Sequence, residues 1–311
     1  MKKLKIDNLS SVSLGVISNH MVRKSEKQKN EFAKYLKENL PDLNNFKIEE
    51  IEKNKNIVIG DINKSKYVFA AHYDTPATLF VLPNFLTPKN PVIFILYQLI
   101  IATLIIGFSF LIGLLATLIN IEFIIGYLLG LFLFAFQMMY GYPNKNNYND
   151  NTSGVITLIE LYLSLSTDER ENCTFIFFDN EEKGMKGSKA FNKKHKDIMD
   201  TKELVNFDCV ADGDHILIIH KNIKEETLNK INTETNTNKN IILTQSKNTI
   251  YPSDQKKFKN SIGVASFHKN KYIGYYVARI HTIFDTNFDE DNIFILVNTF
   301  KPLVVLTEKE N

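Results

Sequence analysis

Two long apolar stretches dominate the pattern of hydrophobic and polar positions along the chain. Residues 91–121 contain one ionisable side chain, a tyrosine, and residues 123–142 contain only tyrosines among ionisable types. A run of about 20 apolar residues is enough for a helix to cross the hydrocarbon core of a bilayer. The pattern therefore predicts an inserted transmembrane hairpin over 89–143. Its helices are expected over about 92–119 and 123–142.

Outside this hairpin, strand-like and helix-like patterns alternate. Strands are predicted over 46–51, 56–62, 66–71, 173–178, 203–211, 241–243, 262–267 and 272–280. Helices are predicted from Ser25 to near Pro41 and over 151–166, 188–199, 222–240 and 289–306. Such alternation predicts an α/β fold, a three-layer sandwich with a mostly parallel central sheet.

The hairpin interrupts a single soluble domain. Prolines at positions 83, 88 and 91 break the chain before the first crossing, and a proline at position 143 breaks it after the second. We therefore expect three parts. They are the first part of the α/β domain (1–88), the hairpin (89–143) and the second part of the domain (144–311).

The residues around the hairpin predict which side of the membrane carries the α/β domain. Lys89 and Lys145 flank the two crossings, whereas the tip at 120–122 has no positive charge. The basic start of the chain is followed by Asp7, Asn8 and serines instead of an apolar segment, so no secretion signal is predicted. With the positive-inside tendency, this predicts a multi-pass cell-membrane protein with two crossings and a cytoplasmic α/β domain.

Composition and charge limit the classes of partner. The formal net charge is +2 and the lysines are scattered among acidic residues and asparagines, so no nucleic-acid binding is predicted. Cys173 and Cys209 lie in predicted buried strands, which suits a reducing compartment better than a disulfide. A transporter is excluded because two crossings without intramembrane charges offer no pathway.

Residues that bind metals in other proteins form an ordered series along the chain. His72 and Asp74 follow a predicted strand on the same side, so the carboxylate can hold the tautomer of the imidazole. The alternative for this pair is a surface turn. Asp150 precedes a predicted helix, where a carboxylate serves either as an N-cap or as a bridge between two cations.

The second half of the series is more informative. Glu181 and Glu182 follow an apolar strand, and adjacent carboxylates repel each other unless a cation or proton intervenes. The alternative is a solvated loop. Asp208 follows an apolar run, where burial of a bare carboxylate is costly. His281 follows the predicted strand over 272–280, whereas the five remaining histidines lie in polar surroundings and are expected to be solvated.

Taken together, these segments resemble the zinc-dependent exopeptidases that include the bacterial leucyl aminopeptidases and the glutamate carboxypeptidases. The matching segments are 71–74, 150–154, 181–188, 206–208 and 281–286. Five blocks in the same order make the resemblance specific.

The resemblance implies two zinc ions per chain. The ligands would be His72, Asp150 and Asp208 for one ion, and Asp150, Glu182 and His281 for the other. Asp74 would orient His72, and Glu181 would be the catalytic base. The chain departs from the family at Gln255, where the family's Ser-Asp-His segment has histidine. This departure affects the wall that faces the substrate.

The function implied by the resemblance is a membrane-anchored di-zinc exopeptidase acting on peptides, with an aminopeptidase as the leading expectation. A carboxypeptidase or an amide deacylase stays open. A glutaminyl cyclase is disfavoured because the chain has no tryptophan, and a receptor or scaffold derived from the enzyme is disfavoured because every expected ligand is present. Partners are a peptide and the lipid bilayer, and the oligomeric state is left open. Because the hairpin lies between the first two ligands, we expect a site near the membrane that favours apolar or membrane-associated peptides.

Overall fold

The chain alternates between strands and helices in the computed structural model. It describes residues 3–43, 45–79, 85–231 and 239–305. The strands are β1 (Lys3–Lys5), β2 (Lys47–Ile51), β3 (Asn54–Ile59), β4 (Tyr67–His72), β5 (Cys173–Phe178), β6 (Glu203–Phe207), β7 (His215–Lys221), β8 (Asn240–Gln245), β9 (Ser261–Asn270), β10 (Gly274–Tyr276) and β11 (Asn287–Asp289). The helices are α1 (Ser11–Asn19), α2 (Glu26–Asn39), α3 (Pro91–Thr117), α4 (Phe123–Tyr140), α5 (Gly154–Ser164), α6 (Thr167–Glu171), α7 (Lys186–Lys194), α8 (Lys196–Met199), α9 (Glu225–Lys230) and α10 (Glu290–Phe300).

The main sheet has nine strands in the order β2-β3-β5-β4-β6-β9-β7-β8, with β10 paired to β9. Its centre, β5-β4-β6-β9, is parallel, whereas the β2-β3, β3-β5 and β7-β9 pairs are antiparallel. The antiparallel β2-β3 pair arises because Glu52 and Lys53 both have positive φ, the conformation of a tight hairpin turn. The predicted α/β class is confirmed, with a mixed sheet whose centre is parallel.

Helices cover both faces of the sheet, as the burial of β4 shows. Every residue of β4 is buried. Tyr67, Phe69 and Ala71 point into the larger apolar core, which includes residues of α1, α2, α5 and α10. Val68 and Ala70 point into a second core with residues of α7 and α8. A strand that is buried on both faces has a continuous run of apolar residues in the sequence, and the residues before His72 form such a run.

Several sequence-based assignments were wrong or too long. Most of the predicted strand over 272–280 is not strand, because Arg279 and His281 have positive φ and the chain turns there. The strand predicted over 203–211 ends at Phe207, since Cys209 also has positive φ. The stretch over 222–240 contributes α9, and the sequence analysis missed β7, whose apolar run is four residues long. Pro83, residues 232–238 and Leu306, which entered these predictions, lie outside the described residues.

The two apolar helices pack against each other through small side chains and expose the rest. Ser109, Gly113 and Ala116 of α3 are buried against Gly126 and Gly130 of α4. A Cβ added at Gly130 would lie 2.7 Å from the Cα of Ser109, so the close approach requires glycine there. Only 17% and 11% of the most apolar windows of α3 and α4 are buried. By length and composition both helices are able to cross a membrane.

The ends of the hairpin are attached to the α/β domain by hydrogen bonds. Asn90, which caps α3, donates its side-chain amide to the carbonyl of Ile273 at 3.2 Å. Gln137, in the last turn of α4, donates its side-chain amide to the carbonyl of Thr78 at 3.1 Å. These contacts fix the start of α3 and the end of α4 on the same side of the domain.

A buried ion pair fixes the segment that follows β5. Lys29 of α2 and Asp179 are 2% and 0% exposed, and their Nζ and Oδ1 atoms are 2.5 Å apart. Lys29 also donates to the side-chain oxygen of Asn180, and the second oxygen of Asp179 accepts the backbone N–H of Lys55. The pair therefore joins α2, β3 and the end of β5 just before Glu181.

The substitution Lys29→Met is expected to lower the free energy of unfolding by about 3–5 kcal/mol, because it leaves the Asp179 carboxylate buried without its cation. Chemical denaturation of the detergent-solubilised protein measures the loss. The matched control is Lys34→Met on the same helix, where the side chain is 74% exposed and the expected change is below about 0.5 kcal/mol. Equal losses in the two variants would contradict the assignment.

Candidate metal centre

The candidate ligands meet at one edge of the parallel part of the sheet. His72 is the last residue of β4, Glu181 and Glu182 follow β5, and Asp208 follows β6. These three strands are neighbours in the order β5-β4-β6. The carboxyl ends of parallel strands lie at one edge, where open α/β sheets bind ligands. Asp150, just before α5, and His281, in the turn after β10, complete the group.

The first ligand set is deeply buried. Nε2 of His72 lies 3.4 Å from Oδ1 of Asp150 and 3.6 Å from Oδ1 of Asp208. One ligand atom from each of the three residues falls within 4.8 Å of the others, and all three side chains are buried. The geometry thus brings together the three residues that the resemblance assigns to one ion.

The second set shares Asp150 with the first. Nε2 of His281 lies 2.9 Å from Oδ2 of Asp150 and 3.3 Å from Oε2 of Glu182. Asp150 therefore directs one carboxylate oxygen towards each histidine. Burial raises the pKa of Asp150, but the His281 and His72 rings beside it outweigh this effect and hold it below its ordinary value.

The donor atoms fit divalent cations. Oε1 of Glu182 and Oδ1 of Asp208 are buried without a hydrogen-bond partner among the described residues. Burial raises the pKa of Glu182 well above its ordinary value, and the nearby carboxylates of Asp150 and Glu181 raise it further. Buried carboxylates that repel one another require positive charge. A set of imidazole nitrogens and carboxylate oxygens is typical of zinc sites with an open position.

Asp74 connects the first ligand to the glutamate pair. Its carboxylate accepts the backbone N–H groups of Glu181 at 2.9 Å and of Glu182 at 3.3 Å. Nδ1 of His72 is 3.1 Å from the backbone oxygen of Asp74 and 3.6 Å from its carboxylate. The side chain of Asp74 thus holds the turn that carries both glutamates, and its backbone oxygen is the nearer partner of the imidazole.

Asp285 is a positioning residue that the sequence analysis did not single out. It is fully buried, and its two carboxylate oxygens accept the backbone N–H groups of Asn149 and Asp150, each at 3.0 Å. Burial raises the pKa of Asp285 well above its ordinary value. The signal was present in the sequence, because Asp285 lies four residues after His281 in a matching segment.

Asn151 was also missed and ties three elements together. Its side-chain amide donates to the carbonyl of Phe207 at the end of β6. Its side-chain oxygen accepts the N–H groups of Gly154 at the start of α5 and of Cys209 after β6. The peptide bond that joins Asp150 to Asn151 is cis. A buried asparagine that bonds to three backbone positions fixes where Asp150 stands relative to Asp208.

Gln255, the departure from the family pattern, lies in the buried wall behind the site. Its side chain donates to the carbonyl of Tyr251 and accepts from the side-chain amide of Asn206, each at 3.1 Å. Next to it, Asp254 accepts a hydrogen bond from the hydroxyl of Ser188, and burial raises its pKa to about 7. In the described contacts Gln255 has a structural role beneath β6.

A cleft of about 270 Å³ opens beside the ligands. Its acidic and imidazole lining is contributed by Asp150, Glu181, Asp208 and His281. The remaining described lining is mainly apolar and includes Leu86, Phe94, Tyr251 and Ile280, together with Gln98. A substrate in this cleft would contact both the ligand cluster and an apolar wall.

The fold and this ligand cluster define the class of zinc-dependent exopeptidases, an α/β sandwich with its site at the sheet edge. Residues 141–293 match the profile of Peptidase family M28. The matched segment contains Asp150, the two glutamates, Asp208 and His281. His72, Asp74 and most of the hairpin precede it.

Solved structures support the assignment of the fold. The LapA aminopeptidase of Legionella pneumophila aligns with a TM-score of 0.55 at 14% identity, over 98% of this chain and 73% of that chain. Glutaminyl cyclase of Porphyromonas gingivalis aligns with a TM-score of 0.56 at 12% identity, over 97% of this chain and 99% of that chain. A Zn-dependent exopeptidase from Parabacteroides distasonis aligns with a TM-score of 0.54 at 12% identity, over 97% of this chain and 98% of that chain. None of the curated proteins matches this sequence.

The substitution Asp74→Ala is expected to weaken zinc binding by about 10- to 100-fold, because the turn carrying Glu181 and Glu182 loses its acceptor. Isothermal titration of the metal-free protein with zinc measures the change. Asp74→Asn retains a side-chain oxygen that accepts a backbone N–H, so its loss is expected to be smaller. Wild-type affinity in the alanine variant would show that Asp74 does not support the site.

Proposed function

We propose that this protein is a membrane-anchored di-zinc exopeptidase that hydrolyses peptide bonds and releases N-terminal residues. The observation that carries the proposal is the position of Asp150, whose two carboxylate oxygens face different histidines, each with a further carboxylate beside it. The match of residues 141–293 to Peptidase family M28 supports a peptidase. The Zn-dependent exopeptidase and the aminopeptidase share this fold, and the imidazole and carboxylate donor set supports zinc.

The proposed ligands follow from the two clusters. His72, Asp150 and Asp208 would hold one zinc ion, and Asp150, Glu182 and His281 the other. When bound, the ions polarise the carbonyl of the scissile peptide bond and lower the pKa of a water molecule. Asp74 and Asp285 hold the backbone of the residues that carry the donor atoms, and so keep these atoms close together.

Glu181 is proposed as the general base. It lines the cleft and belongs to neither of the two proposed zinc sets, although one of its carboxylate oxygens also lies within 4.8 Å of ligand atoms of His72 and Glu182. Burial raises its pKa well above the ordinary value. The neighbouring His72 opposes this rise, whereas Asp254 and Asp208 add to it. A basic carboxylate in this place accepts the proton of the attacking water and then passes it to the departing amine. Because Asp74 fixes its backbone N–H, the carboxylate is held at the cleft.

The charge of the cleft favours an aminopeptidase over a carboxypeptidase. Asp150, Glu181 and Asp208 line it, and no lysine or arginine is found among its described lining residues. Asp150 and Asp208 are proposed zinc ligands, so Glu181 is the lining carboxylate left to attract the positive charge of a free α-amine. A C-terminal carboxylate would meet no cationic side chain among the described lining residues. Glutaminyl cyclase shares the fold, but at 12% identity that likeness supports the fold alone.

Membrane anchoring by α3 and α4 is the second part of the proposal. Both helices are long and apolar enough to cross a bilayer and are mostly unburied. Their ends are fixed to the α/β domain through Asn90 and Gln137. With Lys89 and Lys145 at the two flanks, the positive-inside tendency supports a cytoplasmic position for the α/β domain.

Two substitutions distinguish the base from the ligands. Glu181→Gln is expected to retain about two zinc ions per chain and to lose about 10²- to 10⁴-fold in turnover, because an amide does not accept the proton of water. Asp150→Ala is expected to lose zinc together with activity. Elemental analysis and hydrolysis of a panel of aminoacyl amides and peptides measure both. Near wild-type turnover in Glu181→Gln would mean that another residue is the base. Wild-type protein that hydrolyses none of these substrates in the presence of zinc would refute the proposed peptidase activity.

The orientation of the hairpin is tested by labelling cysteines. Asn120→Cys, at the tip, is expected to react with an impermeant thiol reagent in intact cells. Lys193→Cys, on the α/β domain where the side chain is 75% exposed, is expected to react only after lysis. The parent protein is the control, because both native cysteines are buried. The reverse pattern would place the α/β domain outside the cell.

A further inference from the structure

The first two turns of α3 form part of the wall of the proposed substrate cleft. Phe94 and Gln98 both line the cleft that contains Glu181, Asp150 and His281. They are four residues apart and therefore share one face of the helix. A helix that is apolar and long enough to span a membrane thus contributes directly to the space beside the ligands.

In its first two turns, α3 has one face that packs against the α/β domain and other residues that are exposed. Phe94 is half-buried and packs with the apolar cluster around Leu86. Away from this face, Ile95, Leu96 and Leu99 are 55%, 54% and 58% exposed. Lipid and substrate would therefore contact different faces of the same two turns.

With Pro91 placed at the outer edge of the bilayer interface, the cleft would extend through the interfacial layer. Gln98 is seven residues after Pro91, the first residue of α3, which corresponds to about 10 Å along the helix axis. The interfacial layer on each side of a bilayer is about 5–8 Å thick. A ligand that contacts both the glutamates and Gln98 would reach through this layer to the edge of the hydrocarbon.

Exposed apolar and aromatic residues also lie at the rim of the site. Ile283 and Phe284, two and three residues after His281, are 57% and 64% exposed. Tyr272, in the turn that contacts Asn90, is 76% exposed, and Nζ of Lys271 lies 4.6 Å from its ring centre. Aromatic residues with lysines beside them are typical of the interface with anionic lipid headgroups.

We propose that the substrates are apolar peptides that are partitioned into the bilayer, with α3 guiding the free N-terminus from the membrane into the cleft. This proposal rests on the proposed exopeptidase function and names its substrate class. Phe94 and Gln98 are the specificity-determining residues. The apolar part of the peptide stays in contact with lipid and α3, while its α-amine meets the carboxylates of the site.

Activity is compared for two peptides with the same four N-terminal residues, one continued by an apolar segment and the other by a polar segment. The full chain is assayed in vesicles that contain anionic lipid. Wild-type protein is expected to have the higher kcat/KM for the apolar peptide. Phe94→Ala is expected to lower that value about tenfold, equivalent to one well-packed aromatic contact, and to lower the value for the polar peptide by a smaller factor.

Ile95→Ala is the matched control, since it removes an apolar side chain at the same depth from the outer face of α3. It is expected to leave both values unchanged. Phe94→Leu and the zinc content of each variant show whether a loss in Phe94→Ala comes from misfolding. Equal effects of Phe94→Ala on the two peptides, with normal zinc content, would overturn the assignment of substrate class while leaving the peptidase function intact.

Crosslinking provides a readout that does not depend on turnover. A photoreactive phenylalanine analogue is placed at position 94 or 95 in the Glu181→Gln background. Position 94 is expected to crosslink the apolar peptide, and position 95 to crosslink lipid. Peptide crosslinks of equal yield at both positions would contradict a guiding face. If wild-type protein cleaves neither peptide but position 94 still captures the apolar one, the binding surface stands and the proposed hydrolysis fails.

Discussion

The concentration of carboxylates at one edge of the sheet is the constraint on which the rest of the site depends. Asp74, Asp150, Glu181, Glu182 and Asp208 meet around one buried histidine and one partly exposed histidine. Such a group is unfavourable in a low-dielectric interior unless hydrogen bonds or cations neutralise it. Backbone N–H groups donate to Asp74, whereas Oε1 of Glu182 and Oδ1 of Asp208 have no hydrogen-bond partner among the described residues.

The framework around this group is built from distant parts of the chain. Asp285 holds the backbone of Asp150 from a turn more than 130 residues later. Asn151 forms hydrogen bonds with the end of β6 and with the start of α5. Lys29 fixes the residues just before Glu181. Asp285 and Asn151 act on backbone groups beside Asp150 and Asp208. Lys29 acts through the side chains of the two residues that precede Glu181. The ligands are therefore positioned by hydrogen bonds that would form with or without metal.

Much of this arrangement could be predicted from the sequence because its signals are local. The apolar run before His72 and the charge-free stretches of the hairpin are read directly from neighbouring residues. The strand predicted over 272–280 failed because positive φ at Arg279 and His281 is set by tertiary contacts. The role of Asp285 could not be derived either, because its partners at Asn149 and Asp150 are close only in the folded chain.

The place of the hairpin in the sheet has a consequence for biosynthesis. β4 precedes the hairpin, yet both of its strand neighbours, β5 and β6, follow it. While the chain is being made, β4 thus has no partner among the described strands until α3 and α4 have been synthesised. Completion of the central sheet, and of the site at its edge, must await both helices. Synthesis of α3 and α4 then comes before maturation of the α/β domain, so a chain that stops within the hairpin has no assembled site.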